Sequence, residues 1–196
     1  MIRQFSAPKG KVIFRPGQEC PGFILLSRGT IRVTLTGPSG REVVLYRVHP
    51  GDVCLQTFSC LVSDELYGAD GLAETELEGE LVPAGDFRRR LAEDGPFRDR
   101  IMTSVAARFV EYQHLVEDIA LTGFDARLSK ALLRLADAGG KVAATHSDLA
   151  SETASGRAYV SRRLGDFARR GLVRQLADGV AIIDGDELAR IAADTR

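Results

Sequence analysis

The chain has 196 residues, 44% of them hydrophobic, three cysteines and a formal net charge of −1. That length supports two small domains, each with its own core. No run of 18 apolar residues occurs, which excludes a transmembrane span. The first residues, Met-Ile-Arg-Gln-Phe-Ser, lack a signal-peptide apolar segment, and three cysteines without paired spacing fit a reducing, cytoplasmic setting.

The front half is punctuated by glycines at 10, 17, 22, 29, 37, 40, 51, 68, 71 and 79. Short β-type runs lie between them: Lys11–Phe14, Phe23–Leu26, Thr30–Thr36 and Glu42–Val48. Thr30–Thr36 alternates, which predicts Ile31, Val33 and Leu35 on one face. Gly37-Pro38-Ser39-Gly40 is read as the turn that follows it. Such spacing indicates a sandwich or jelly roll over residues 1–95. Glu74, Glu76, Glu78 and Glu80 alternate and read as a solvated acidic strand face, with Thr75 and Leu77 inward.

Gly95-Pro96 opens a long helix over residues 96–121. Met102, Val105, Phe109, Tyr112, Val116 and Ile119 follow at spacings of 3 and 4, an a/d seam over nearly three heptads. That seam is either a packing stripe within the domain or the contact of a homodimer. Thr122-Gly123 breaks the helix and reads as a hinge. Asp125 is expected to cap the next helix, which carries Leu128, Leu132 and Leu135.

The most informative stretch lies in residues 122–196. Thr145 and Asp148 form a capping pair that starts a short helix with Leu149 and Ala150 on its apolar side. Ser155-Gly156 makes a turn. A second helix follows from Arg157, burying Val160, Leu164, Phe167 and Ala168. Residues 157–174 hold six arginines and one acid. By contrast, residues 1–124 hold 14 Lys+Arg against 17 Asp+Glu. Two short helices with a basic outer face on the second form a helix-turn-helix, whose second helix would enter the DNA major groove. Gly171 ends that helix as a C′ glycine. Leu172–Leu176 and Val180–Ile183 then face each other across Ala177-Asp178-Gly179, a wing hairpin. The acid at its tip gives the wing a structural role.

A β-roll, a long helix, a hinge and a winged helix-turn-helix together resemble the Crp/Fnr superfamily of bacterial transcription regulators. The resemblance rests on Gly10-Lys11-x-Ile13-Phe14-x-Pro16-Gly17, Phe23-x-Leu25-x-x-x-Gly29-x-Ile31, Gly40-Arg41-Glu42, Pro50-Gly51-Asp52 and Arg157-x-x-Val160-Ser161-Arg162. It implies an α+β chain with an N-terminal β-roll (jelly roll) sensor domain, a dimerisation helix and a C-terminal winged helix-turn-helix. It further implies double-stranded DNA with a palindromic operator as partner, a homodimer, and RNA polymerase as a further contact. The implied DNA-binding residues are Thr145, Arg157, Ala158, Tyr159, Ser161, Arg162, Arg169 and Arg170. Arg162 would read guanine and Arg157 base or phosphate. The family's usual glutamate is Ala158 here, which can touch a thymine methyl but cannot accept from a base amino group.

Two further departures concern the effector. Family members that bind cyclic nucleotides carry Gly-Glu-Leu and then Arg-Ser for the cyclic phosphate. Here residues 53–60 read Val-Cys-Leu-Gln-Thr-Phe-Ser-Cys, and the Arg-Ser position falls near Tyr67-Gly68. Iron–sulfur members need four cysteine ligands, against three here, so no cofactor and no metal is expected. Cys54 and Cys60 lie in the effector region, and are either small buried hydrophobes or a thiol sensor. Read as strand, residues 54 and 60 would stand about 20 Å apart, so a bond between them needs a bend. Cys20 is the alternative partner. Control by a small molecule or cyclic nucleotide, or no effector at all, stays open. A cupin-like enzyme needs clustered histidines, and the first 100 residues hold only His49. No catalytic motif is found.

Overall fold

A computed structural model describes residues 2–38 and 40–194, apart from the side chains of Asp118 and Leu121. The chain divides into two compact units, residues 1–36 with 45–113, and residues 37–44 with 114–196. Ser39 of the expected turn lies outside the described residues; around it, Gly37 N–H donates to Arg41 O at 2.8 Å and Gly40 N–H to Gly37 O at 2.9 Å.

In the first unit, β1 (Arg3–Ala7), β7 (Leu77–Pro83) and β3 (Gly22–Arg28) form one antiparallel sheet in the order β1-β7-β3. The other sheet runs β2-β6-β4-β5, with β2 (Val12–Phe14), β4 (Ile31–Thr36), β5 (Glu42–Val48) and β6 (Asp70–Ala73). The core lies between them. Ile24, Leu26 and Leu77 from one sheet meet Phe14, Ile31, Val33, Tyr46 and Val48 from the other. Period-two burial explains β5 well: Val44, Tyr46 and Val48 are buried while their neighbours are not. It fails at the end of β4, where Leu35 is 47% exposed and Thr34 is buried. The four glutamates do not share one strand face either. Glu74 and Glu76 precede β7, Thr75 is exposed in the bend between the sheets, and only Glu78 and Glu80 belong to the strand. Each of the four finds a polar partner: Glu74 pairs with Arg47, Glu76 and Glu78 with Arg28, and Glu80 accepts from Gln4.

Two helices of this unit go beyond the sequence expectation. α1 (Leu55–Ser63) follows Cys54 directly, and α2 (Ala84–Glu93) follows β7. Residues 54–60 are therefore helical rather than extended, and six residues of helix rise only about 9 Å. Phe23, Val53, Leu61, Val82 and Phe87 form a second core with Phe97 and Ile101, the first buried residues of α3 (Gly95–Leu121). Asp94 caps α3, its Oδ1 accepting from Phe97 N–H at 3.0 Å.

The second unit contains the end of α3, then α4 (Phe124–Leu135), β8 (Lys141–Val142), α5 (His146–Glu152), α6 (Arg157–Arg169), β9 (Val173–Leu176), β10 (Gly179–Ile182) and α7 (Gly185–Ala193). Leu128, Leu132, Leu149, Val160, Leu164, Phe167, Val180 and Leu188 are all fully buried in one cluster. Its sheet runs β8-β10-β9. The wing hairpin pairs Leu176 with Gly179, so its loop is the two residues Ala177-Asp178, one shorter than expected. The cap of α4 also differs. Gly123 takes that position without a side-chain bond, because Asp125 sits in the first turn and pairs with Arg163 instead.

Phe14 occupies the centre of the β-roll, stacked on Tyr67 at 4.5 Å between ring centroids. Gly71 makes room for it: a Cβ there would stand 2.4 Å from Phe14 Cζ. Gly71→Ala should therefore destabilise the protein by about 1–3 kcal/mol through overpacking. Urea unfolding would read this as a lower midpoint at unchanged slope.

Candidate nucleic-acid interface

The helix-turn-helix is built as the sequence indicates. Thr145 Oγ1 accepts from Asp148 N–H at 3.1 Å, and Asp148 Oδ2 accepts from Thr145 N–H at 2.9 Å, a complete capping box. Thr145 is thus committed to starting α5. Between α5 and α6 the turn places Ala154 at φ +48°, in the left-handed region, and Ser155 N–H donates back to Ala150 O at 2.9 Å. At its far end α6 closes with a Schellman arrangement. Leu172 N–H reaches Phe167 O at 2.9 Å and Gly171 N–H reaches Ala168 O at 3.0 Å, with Gly171 at φ +75°.

Burial of Val160, Leu164 and Phe167 fixes the opposite side of α6 outward. Arg157, Ala158, Arg162 and Arg169 are exposed there, with Ser161 half-buried among them. Gly165, half-buried, lies between Arg162 and Arg169 along the helix; a Cβ there would meet Arg169 Nη1 at 3.8 Å. Ala158, Ser161 and Gly165 give α6 short side chains beside these arginines.

The six arginines separate by partner. Arg163 is turned away from the outer face. Its Nε donates to Asp125 Oδ1 at 2.7 Å, its Nη2 pairs with Asp125 Oδ2, and its Nη1 reaches Asp166 Oδ2 at 3.1 Å. Arg169 pairs with the other oxygen of Asp166. Arg170 leans over the Phe167 ring and lies 3.9 Å from Glu187, so the helix does not bring it beside Arg157 and Arg162. Tyr159 likewise points sideways. Its ring packs on Phe124 at 4.5 Å, and the Arg162 guanidinium lies 5.6 Å from its centroid. Among the described residues, Arg157, Arg162 and Arg174 make no ion pair. These three are the cations left for phosphates and bases.

His146 carries no signal in the sequence pattern. Its Nδ1 lies 2.8 Å from Ser161 Oγ, and Ser161 donates to Arg157 O at 3.0 Å. With the one hydroxyl proton on Arg157 O, the bond to His146 requires the tautomer that carries its proton on Nδ1. The pair ties the start of α5 to the outer face of α6. At the wing, Asp178 pairs with Lys141 Nζ at 2.7 Å. Lys141 holds the Asp178 carboxyl below its usual range, and Asp178 holds the lysine above its own.

The long helix presents two stripes rather than one seam. Val105 and Tyr112 turn into the first unit, Val105 against the Phe87–Phe97 core and Tyr112 edge-on to Tyr46 at 5.7 Å. The Arg108 side chain lies on the same side, paired with Asp52 and with Glu111. Met102, Phe109, Val116 and Ile119 remain 44%, 62%, 62% and 40% exposed, with Val110 at 47%. Of the six seam residues, Val105 and Tyr112 pack on the domain's own core, on the side of α3 where Phe97 and Ile101 are buried.

In the β-roll, Cys54 and Cys60 are buried and Cys20 is half-buried; all three are free thiols. Tyr67 stands among them, its hydroxyl donating to Cys20 Sγ at 3.2 Å. Gly68 N–H is taken by Gln56 Oε1 at 2.9 Å. Burial pushes the Cys54 thiol up, and burial followed by the nearby Cys20 and Cys54 pushes Cys60 up to about 11. Among the described residues no group of three His, Cys, Asp or Glu is placed to hold a metal, and no helix is long and apolar enough to cross a membrane.

Residues 4–94 match the cyclic nucleotide-binding domain model, and residues 126–191 match the Crp-like helix-turn-helix domain model. The chain is 25% identical to the CRP-like cAMP-activated global transcriptional regulator of Mycobacterium tuberculosis, over 97% of this chain and 88% of that protein. It is 28% identical to the transcriptional regulator LdrP of Thermus thermophilus, over 93% of each. Among solved structures, a Crp/Fnr-family protein from Eubacterium rectale superposes with a TM-score of 0.90 at 25% identity, covering 98% of this chain and 90% of that one. A CRP-family transcriptional regulator from Thermus thermophilus gives 0.80 at 26% identity, over 97% of each chain. A sensor-type β-roll, a helix-turn-helix with a free basic face, and relatives spanning both units lead to one assignment: the chain belongs to the Crp/Fnr family of DNA-binding transcription regulators.

Proposed function

We propose that the protein works as a homodimer, placing two copies of α6 in successive major grooves of a palindromic operator. The observation that carries this reading is the pair of free arginines, Arg157 and Arg162, on the outer face of α6. Arg162 would take a guanine through its bidentate fork, and Arg157 a base or a phosphate. Ala158 favours a thymine methyl at the position it faces. Arg169, Ser161 and His146 line the same surface and suit backbone contacts. The exposed Met102, Phe109, Val116 and Ile119 stripe supports a two-fold contact along α3. Once bound, the dimer would present a surface to RNA polymerase.

The β-roll in this reading does not take a cyclic nucleotide. Tyr67 and Gly68 stand where the family's Arg-Ser pair would meet the cyclic phosphate. Tyr67 is buried against Phe14, and Gln56 already accepts from Gly68 N–H. Arg108, the buried cation of this unit, is engaged by two carboxylates. An anionic ligand would have to break one of those pairs.

Four measurements test this. Arg162→Ala should weaken operator binding by about 1–3 kcal/mol and relax preference at one base pair per half-site; a gel-shift series over operator variants reads both. Arg163→Ala, by contrast, should lower folding stability while leaving base preference intact, since Arg163 serves Asp125. Phe109→Glu or Val116→Glu should give monomers that lose operator affinity, because the new charge would be buried in the dimer contact. Light scattering decides, and a monomeric wild type at micromolar concentration would refute the dimer. Calorimetry with cyclic AMP and cyclic GMP should show no binding at micromolar nucleotide; a clear isotherm would overturn the effector reading.

A further inference from the structure

Tyr159 stands on the helix that would meet DNA, and two neighbours share its ring. It packs on Phe124, with ring centroids 4.5 Å apart and planes tilted by 54°. The Arg162 guanidinium also lies over it, 5.6 Å from the centroid. Tyr159 and Arg162 are three residues apart on α6, a spacing at which helix side chains are neighbours.

The support runs further back. Phe124 is the first residue of α4, and the Arg127 guanidinium lies 5.8 Å from its ring centroid. Arg127 Nη1 donates to Thr122 O at 2.5 Å and to Ile119 O at 3.4 Å, at the end of α3. Its Nε donates to Thr153 O at 3.3 Å, at the end of α5. The four side chains therefore form a column, Arg127–Phe124–Tyr159–Arg162. It starts on the backbone of two helix ends and finishes at an arginine without an ion pair among the described residues.

The last contact of the column has a chemical consequence. A guanidinium drawn to a ring by its charge uses none of its N–H donors. The planar fork of Arg162 stays available for two acceptors on one base. A long side chain loses rotamer freedom when it is fixed. One that is already placed in the free protein loses less on binding. A bulky aromatic residue on this face is thus explained without any contact of its own to DNA.

We propose that Tyr159 is a positioning residue. Backed by Phe124, it sets the direction of the Arg162 guanidinium and sharpens the reading of one base pair per half-site. This rests on the reading of Arg162 as the residue that contacts a base.

The test uses the full chain and a palindromic duplex that the wild type selects from a random-sequence pool. Arg162→Ala first identifies the base pair at which preference is lost. Tyr159→Leu should lower discrimination at that same base pair by about two- to fivefold per half-site, the equivalent of an exposed cation–π contact. Discrimination is a ratio of two affinities of one variant, so a change in the fraction of folded protein cancels from it. Tyr159→Phe keeps the ring and should discriminate as the wild type does. Phe124→Leu, which removes the ring behind Tyr159, should relax preference at the same base pair. In an Arg162→Ala background, Tyr159→Leu should have no further effect on discrimination.

Full discrimination in Tyr159→Leu or in Phe124→Leu would overturn the positioning role. So would a loss at a different base pair, or an undiminished loss in the Arg162→Ala background. Weakening by Tyr159→Phe that is equal across all sequences would assign the hydroxyl to a phosphate and overturn it too. These outcomes leave the assignment of Arg162 standing. An unchanged base preference in Arg162→Ala would instead sink that assignment, and the proposal with it.

Discussion

A helix can bury only one side, and the second unit depends on which side α6 buries. Val160, Leu164 and Phe167 are sealed against Leu128, Leu132 and Leu149. Each such side chain contributes about 1.5–3 kcal/mol relative to exposure. Rotating α6 by even one residue would move about 100° of helix surface, bringing Ser161 or Arg163 into the core and exposing Phe167. The outward direction of Arg157 and Arg162 is thus set by apolar packing, and the Thr145 capping box and the Gly171 closure set where the packed segments begin and end. The Asp125–Arg163 pair adds a polar tie from α4 to the same helix.

The β-roll obeys a different constraint, that of filling its own interior. Four aromatic rings, Phe14, Tyr46, Tyr67 and Tyr112, crowd the region between the sheets and the long helix. Buried tyrosines need partners for their hydroxyls. Here the Tyr67 hydroxyl donates to Cys20, and the Tyr46 hydroxyl accepts from Gln56 N–H. Both hydroxyls are thus satisfied from within the β-roll.

The legible parts of the sequence are those with strong local signals. The capping pair, the 3.6-residue stripe of α6, the C′ glycine and the alternation in β5 all predict what the structure has. The illegible parts depend on tertiary context. α1 has Leu55, Phe58 and Leu61 at helical spacing, but the segment is short and has no side-chain cap, so it reads as strand. The α3 seam looks uniform because heptad spacing does not say which neighbour covers a residue. Val105 and Tyr112 are claimed by the chain's own core, and the flanking apolar positions are left outside. Charge counting overstates the basic face for the same reason. Asp125, 38 residues from Arg163 in sequence, is invisible to a local count. His146 escapes notice because a lone histidine carries no signal until Ser161 is placed beside it.

The short side chains on the outer face of α6 have a consequence for how much a half-site can say. Ala158 and Ser161 lie between Arg157 and Arg162, and Gly165 between Arg162 and Arg169. A bidentate contact discriminates by about 1–3 kcal/mol, and this surface offers two long side chains free to make one. In the proposed dimer a single half-site would therefore encode few base pairs, and the short side chains would let the helix lie close to the duplex without reading it. Selecting a promoter from a genome would then fall on the repetition of a short word at a fixed spacing, and on how readily the DNA between the two words bends. Such a regulator would tolerate divergent operators and discriminate among them by geometry more than by letters.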